Sequence, residues 1–218
     1  MSEPISIDVY SDVVCPWCYI GKRRLEQALV RLGEQNMAVT PNWRAFQLNP
    51  EMPAAGVARK EYVETKFGGP ERAKGIYARV AAVGNEVGIP FQFEKIERQP
   101  NTLNAHRLIR YAGDHGKQDA VVEALFHEFF LALRDIGDVA VLSDIAATAG
   151  LNRDAVYAYL SSEQGADAAR EEDAVARQLG ITGVPFFVFG GKVAVSGAQE
   201  AKALVQAYEQ AASAVTTR

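Results

Sequence analysis

The sequence predicts an α/β fold in which a βαβ unit at the start and a ββα unit at the end share one sheet, with a long helical stretch inserted after the second strand. Three observations predict it. Apolar residues alternate near the N-terminus and again after Gly180, a helical period fills almost everything between, and glycines and prolines punctuate the changes of period. The implied division is residues 1–50 with 181–218 as the α/β core and 51–180 as an inserted helical domain.

Ile5, Ile7 and Val9 alternate with Ser6 and Asp8, so residues 5–11 read as a strand. Ile20, Leu25, Ala28, Leu29 and Leu32 then fall mostly on one helical face, with Gly33 placed to close the helix. Met37 to Phe46 supply a second strand-like stretch, and strand–helix–strand at this spacing favours a parallel pair with a right-handed crossover. Asn49-Pro50 and Pro53 break the pattern.

From about residue 55 to 180 the period is helical. Val122, Leu125, Phe126, Phe129, Phe130 and Leu133 form one stripe, and Ala105, Leu108, Ile109 and Ala112 another, with Asn101 or Thr102 as its N-cap. Glu71–Val87 and Ser162–Leu179 read as further helices, the latter closed by Gly180. Phe186 to Phe189 form a short strand, Gly190-Gly191 a hairpin turn, and Val193 and Val195 its return. Gln199 to Ala214 closes the chain as a helix.

Composition excludes several classes. The 218 residues carry 23 Lys+Arg against 27 Asp+Glu, a net charge of −4, which gives no general attraction to nucleic acid or an anionic membrane. No apolar run approaches the ~18 residues of a membrane span. Met1-Ser2-Glu3-Pro4 lacks the basic patch of a signal peptide, so a cytoplasmic location is expected. Nothing in the sequence distinguishes a monomer from a homodimer.

The two cysteines cannot build a disulfide scaffold, but Cys15-Pro16-Trp17-Cys18 follows a predicted strand and opens a predicted helix. Proline is tolerated at the first helical position, where an amide has no intrahelical partner. Cys15 at the N-cap then faces unpaired amides and the positive end of the helix dipole, which favour a thiolate. Thiols in such settings ionise at about 3.5–7.5 rather than about 8.5. Cys18 lies one turn on, within bridging reach. The expectation is an exposed nucleophile at Cys15 and a less accessible resolving thiol at Cys18.

Competing chemistry is weaker. A structural zinc site needs four ligands, and the three histidines, His106, His115 and His127, make no close pair at ligand spacing, so no metal is expected. A structural disulfide across so short a loop removes little chain entropy. Asp12 reads either as a turn residue or as a like charge that raises a cysteine pKa. Thr182-Gly183-Val184-Pro185 supports the redox reading. Val-Pro is where a cis peptide can occur, and such a bond facing the cysteines would turn the Val184 N–H and C=O outward toward an extended peptide.

Ser11-Asp12-Val13-Val14-Cys15-Pro16-Trp17-Cys18, with Thr182-Gly183-Val184-Pro185 before a ββα ending, resembles the DsbA-like branch of the thioredoxin superfamily. Trp43-Arg44-Ala45-Phe46-Gln47-Leu48-Asn49-Pro50, Asn101-Thr102 with Ala105-His106-Arg107-Leu108, and Ser196-Gly197-Ala198-Gln199 resemble its FrnE-like group. The resemblance implies a thioredoxin-like fold carrying the helical insertion, and thiol–disulfide oxidoreductase activity on thiol or disulfide substrates. It implies a cis Val184–Pro185 bond against Cys15, and substrate-binding roles for Pro16, Trp17, Val184, Pro185, Asn49, Asn101 and His106. No bound cofactor is implied; glutathione is expected as a redox partner or cosubstrate. Trp17 supplies neither the charge nor the ring N–H of a histidine between the cysteines, so a less oxidising pair than periplasmic DsbA is expected.

Some of these segments also resemble the 2-hydroxychromene-2-carboxylate isomerases. There a serine stands where Cys15 stands, and glutathione provides the thiol. A glutathione-dependent isomerase or transferase of small aromatic compounds is therefore the alternative function. A third reading, a chaperone-like groove, rests on Trp17, Tyr19 and Phe186 near the cysteines.

Overall fold

In the computed structural model, which describes residues 5–35 and 39–216, strand β1 (Ile7–Ser11) runs through the middle of a four-stranded sheet of order β2-β1-β5-β6. Strand β2 (Pro41–Ala45) is parallel to β1, as the crossover predicts, with Val9 opposite Trp43. Strand β5 (Phe186–Phe189) is antiparallel to β1, and β6 (Val193–Ser196) antiparallel to β5. Gly190 and Gly191 both take positive φ in the turn between them, a conformation glycine adopts without the steric cost of a Cβ. Of the predicted second strand, Met37 and Ala38 lie outside the described residues.

Helix α1 (Pro16–Glu34) links β1 to β2 and continues through Gly33, which therefore does not close it. Its buried face (Cys18, Tyr19, Ile20, Leu25, Ala28, Leu32) packs on the sheet and on the last helix, α9 (Ala201–Thr216). The segment between β2 and β5 forms α2 (Arg59–Phe67), α3 (Pro70–Glu86), α4 (Leu103–Gly113), α5 (Gln118–Phe130), α6 (Val139–Thr148), α7 (Arg153–Leu160) and α8 (Ala166–Gln178). The helical expectation needs two corrections here. Val57–Ala58 (β3) and Arg98–Gln99 (β4) pair as a small antiparallel ladder that clips the start of α2 to the segment before α4. Leu133 also falls outside the helix predicted to hold it, three residues past the end of α5 at φ 63°.

An outer strand exposes unpaired amides, and β2 shows how this one is closed. Gln118 on α5 mimics a neighbouring strand: its Oε1 accepts from Trp43 N–H at 2.8 Å and its Nε2 donates to Trp43 C=O at 3.2 Å. Two carboxylates of α8 continue the ladder, Glu172 accepting from Ala45 N–H at 2.8 Å and Asp173 from Gln47 N–H at 2.7 Å. The helices thereby fix the position of β2 and of the loop that follows it.

A buried charge cluster ties α1 to α5. The Lys22 ammonium, sealed from solvent, meets Glu26, Asp119 (3.4 Å) and Glu123 (3.1 Å). Burial opposes its charge, but these carboxylates outweigh burial and hold Lys22 above its ordinary pKa. One turn earlier, Tyr19 stacks on Phe126 at 4.9 Å and donates to Glu123 at 3.1 Å.

Candidate active site at the start of the first helix

Both cysteines sit where β1 hands over to α1. Cys15 is the N-cap, with extended backbone (φ −91°, ψ 113°), and Pro16 occupies the first helical position. A tight turn sets this up: Cys15 N–H donates to Asp12 C=O at 3.0 Å, and Cys18 N–H returns to Cys15 C=O at 3.0 Å. Cys15 Sγ lies 3.6 Å from the Val184 carbonyl. The Val184–Pro185 peptide is cis. Trp17, 40% exposed, projects from the first turn beside the pair.

The expected contrast in accessibility is small. Cys15 is 5% exposed and Cys18 1%, so Cys15 is not the exposed thiol the sequence suggests, although it remains the more accessible. Both are free thiols. Burial pushes the Cys18 thiol well above its ordinary pKa, and its contact with Cys15 adds to the shift; the nearby Ser11 side chain and Asp12 backbone oppose it without reversing it. Cys18 therefore stays protonated at neutral pH.

Pro185 packs against Gly21, one turn beyond Cys18. A Cβ built on Gly21 would stand 2.8 Å from Pro185 Cγ and 3.3 Å from Phe187 Cζ. Gly21 is thus what lets the thiol helix approach the Val184–Pro185 segment. Gly21→Ala is expected to destabilise the protein by about 1–3 kcal/mol through overpacking, more than the ~1 kcal/mol alanine gains over glycine inside a helix. A denaturation midpoint equal to or above the parent's would count against this close approach.

The other predicted site residues scatter. Asn49 lies beside Tyr62 of α2, whose hydroxyl is raised above its ordinary pKa by burial, opposed by Asn49 and Arg59, and lies within electrostatic reach of Asp12 and Cys15. Tyr62 was not legible in the sequence, where it reads as one more aromatic on a helix. His106 is fully buried (2% exposed) and brings Nε2 to 3.5 Å from Asp12 Oδ1. Asp12, with no exposed surface, also accepts Leu48 N–H at 2.8 Å through Oδ2. The carboxylate therefore joins the end of β1 to the loop after β2, which is the turn role.

Asn101 spends both ends of its amide internally, donating to Met52 C=O at 2.6 Å and accepting Leu103 N–H at 2.8 Å. It, rather than Thr102, caps α4 by side chain. It lines a 610 Å³ cleft with Gln47, Pro50 and Arg107, and neither cysteine lines that cleft. Of the three aromatics expected near the thiols, Tyr19 is fully buried in the Phe126 stack and Phe186 half-buried, so only Trp17 offers a large exposed aromatic face. That removes most of the basis for a chaperone-like groove. Among the described residues no cluster of His, Cys, Asp and Glu could hold a metal ion, and no helix is long and apolar enough to cross a membrane.

Residues 6–209 match the model of the DSBA-like thioredoxin domain. A probable DsbA oxidoreductase from Streptomyces coelicolor is 31% identical, with a TM-score of 0.87 over 98% of this chain and 91% of that one. A 2-hydroxychromene-2-carboxylate isomerase aligns at 17% identity and TM-score 0.71, covering 97% of this chain and 98% of the other. The cytosolic disulfide reductase DsbM from Pseudomonas aeruginosa, solved with GSH, aligns at 13% identity and TM-score 0.63 over 97% and 98% of the two chains. The last two are likenesses of fold.

Proposed function

The chain belongs to the DSBA-like thioredoxin domain family of thiol–disulfide oxidoreductases, and from that premise we infer that it exchanges disulfides through Cys15 and Cys18. The observation that carries this reading is the placing of Cys15 at the N-cap of α1, 3.6 Å from the Val184 carbonyl, with Cys18 one turn behind it. Cys15 is the nucleophile. In the reducing direction its thiolate attacks one sulfur of a substrate disulfide, forming a mixed disulfide and expelling the other sulfur as a thiolate. Cys18 then loses its proton and attacks Cys15 Sγ, releasing the second substrate thiol and leaving the Cys15–Cys18 disulfide. Two electrons pass to the substrate, and the reverse sequence oxidises a dithiol.

Pro16 and Trp17 on one side and Val184 and Pro185 on the other are proposed to flank the bound substrate, with Val184 C=O available to an extended peptide. Asn49 acts through Tyr62, and His106 acts from behind the turn through Asp12. Residues 51–180 form an inserted unit over the thioredoxin-like core of residues 1–50 and 181–218. Glutathione is the proposed redox partner and the cytoplasm the proposed compartment, supported by the fold shared with a cytosolic reductase solved with GSH. No bound cofactor enters the cycle.

The test is a redox titration of the purified protein in glutathione buffers, read by tryptophan fluorescence, with Cys15→Ser as control. The expected result is one reversible two-electron transition, absent from the control, in which a tenfold change in equilibrium constant spans about 30 mV. Thiols that fail to exchange while Cys15→Ser still binds glutathione would replace this reading with the isomerase one.

A further inference from the structure

A groove of about 780 Å³ runs between α2, α3 and the segment 91–97, and neither cysteine lines it. Its walls are apolar: Val63, Tyr77, Ala81, Phe91, Phe93 and Ile96. That volume suits a small organic molecule.

Of the three cations that line it, Arg59, Lys60 and Lys74, Arg59 is half-buried and incompletely partnered. The Arg59 guanidinium donates to Tyr77 Oη at 2.7 Å and to Gln99 Oε1, and lies 5.2 and 5.3 Å from the ring centroids of Tyr62 and Tyr77. Its Nε is sealed from solvent with no hydrogen-bond partner, and among the described residues no carboxylate forms an ion pair with it. Two other cations of the fold, Lys22 and Arg24, do have carboxylate partners, while buried Arg107 is satisfied by four backbone carbonyls and Asn104. Lys22 meets Glu26, Asp119 and Glu123, and Arg24 meets Glu200. Burial holds Arg59 below its ordinary pKa, and only the Tyr77 and Tyr62 hydroxyls oppose it. A half-buried charge with no counter-charge is costly, and an anion that shares the cavity lowers the cost.

The mouth narrows the choice of anion. Exposed Glu71, Glu94 and Glu97 stand there beside Lys60 and Lys74. That rim disfavours a dianion such as a phosphate monoester, while a single carboxylate matches the planar guanidinium fork. We propose that this groove binds an apolar monocarboxylate, its carboxylate on Arg59 and its body against Phe91, Phe93 and Ile96. The proposal goes beyond thiol exchange and does not depend on it.

The test is calorimetric titration of the full chain with decanoate and, separately, decanol. Saturable one-to-one binding of decanoate is expected, at least about tenfold tighter than decanol (about 1.4 kcal/mol). Arg59→Gln should bring decanoate down to the decanol level and leave decanol unchanged, with a circular-dichroism melt reporting that the variant folds. Absence of decanoate binding, equal affinity for the two probes, or decanoate affinity untouched by Arg59→Gln would each overturn the proposal. Should the variant fail to fold, the two probes on the parent protein still decide it.

Discussion

Replacing Cys18 with serine is expected to arrest exchange at the mixed disulfide, leaving substrate covalently attached to Cys15 and visible on a non-reducing gel. The resolving step needs a sulfur within bridging distance, and only Cys18, one turn along α1, is so placed. Turnover should fall by about a hundredfold or more, a barrier increase of roughly 2.7 kcal/mol. Cys15→Ser should show no adduct at all, because the remaining thiol is 1% exposed and burial keeps it protonated. The pH dependence follows from the sign of that shift. With its pKa raised, the Cys18 thiol left in Cys15→Ser will resist alkylation at neutral pH and react only as the pH climbs well past the ordinary thiol range. Rapid alkylation of that variant at pH 7, or full turnover by Cys18→Ser with a protein disulfide, would reverse the assigned roles.

The second large effect concerns stability, at a residue far from any sulfur chemistry. Arg107 on α4 is almost fully buried, yet its guanidinium donates to the carbonyls of Tyr159, Leu160, Ser162 and Gln164 and to Asn104 Oδ1, at 2.6–3.1 Å. It holds the turn between α7 and α8, and α8 in turn supplies the carboxylates that close β2. Hydrogen bonds from a charged donor contribute about 1.5–3 kcal/mol each and are not additive. Arg107→Met should therefore cost at least about 3 kcal/mol, lowering the melting temperature by roughly 6–12 °C for a chain of this size. Arg107→Lys should recover only part of this, since an ammonium cannot span the same acceptors. Exposed Arg79→Met is the control and should leave the midpoint in place. A shift under about 2 °C for Arg107→Met would show that the turn holds without it.

These two predictions mark the limit of what the residues reveal in order. β1, α1, the Gly190-Gly191 hairpin and the cysteine pair are local patterns, written in alternation, helical period and residue type within a few positions. The β3–β4 ladder has two residues a side and so carries no period to read. Leu133 keeps the helical spacing of the Phe126 stripe, but the helix has already ended. Arg107 and Arg59 look in sequence like ordinary charges on polar helix faces; the carbonyls that Arg107 holds lie 52–57 positions away, and Arg59 reaches Tyr77 and Gln99, 18 and 40 positions on. The Asp12–His106 approach likewise spans most of the chain's first half. Pairings of this kind are decided by tertiary packing, which no single-segment pattern encodes.

Helix α2 differs from its neighbours in that none of its residues is fully buried. It is held by half-buried Tyr62, Val63 and Phe67 and by the two-residue clip of β3 to β4. The helix that carries the cysteines is anchored instead by Gly21 against Pro185, by the Lys22 cluster and by the Tyr19 stack. Segments with little buried apolar surface open at a free energy well below that of global unfolding. The thiol scaffold is thus rigid and the wall beside it compliant. Partners of different shape will be accommodated by remodelling that wall while the sulfur stays where it is. Discrimination among them should then appear in the rate of encounter and docking, with the bond-exchange step nearly the same for each.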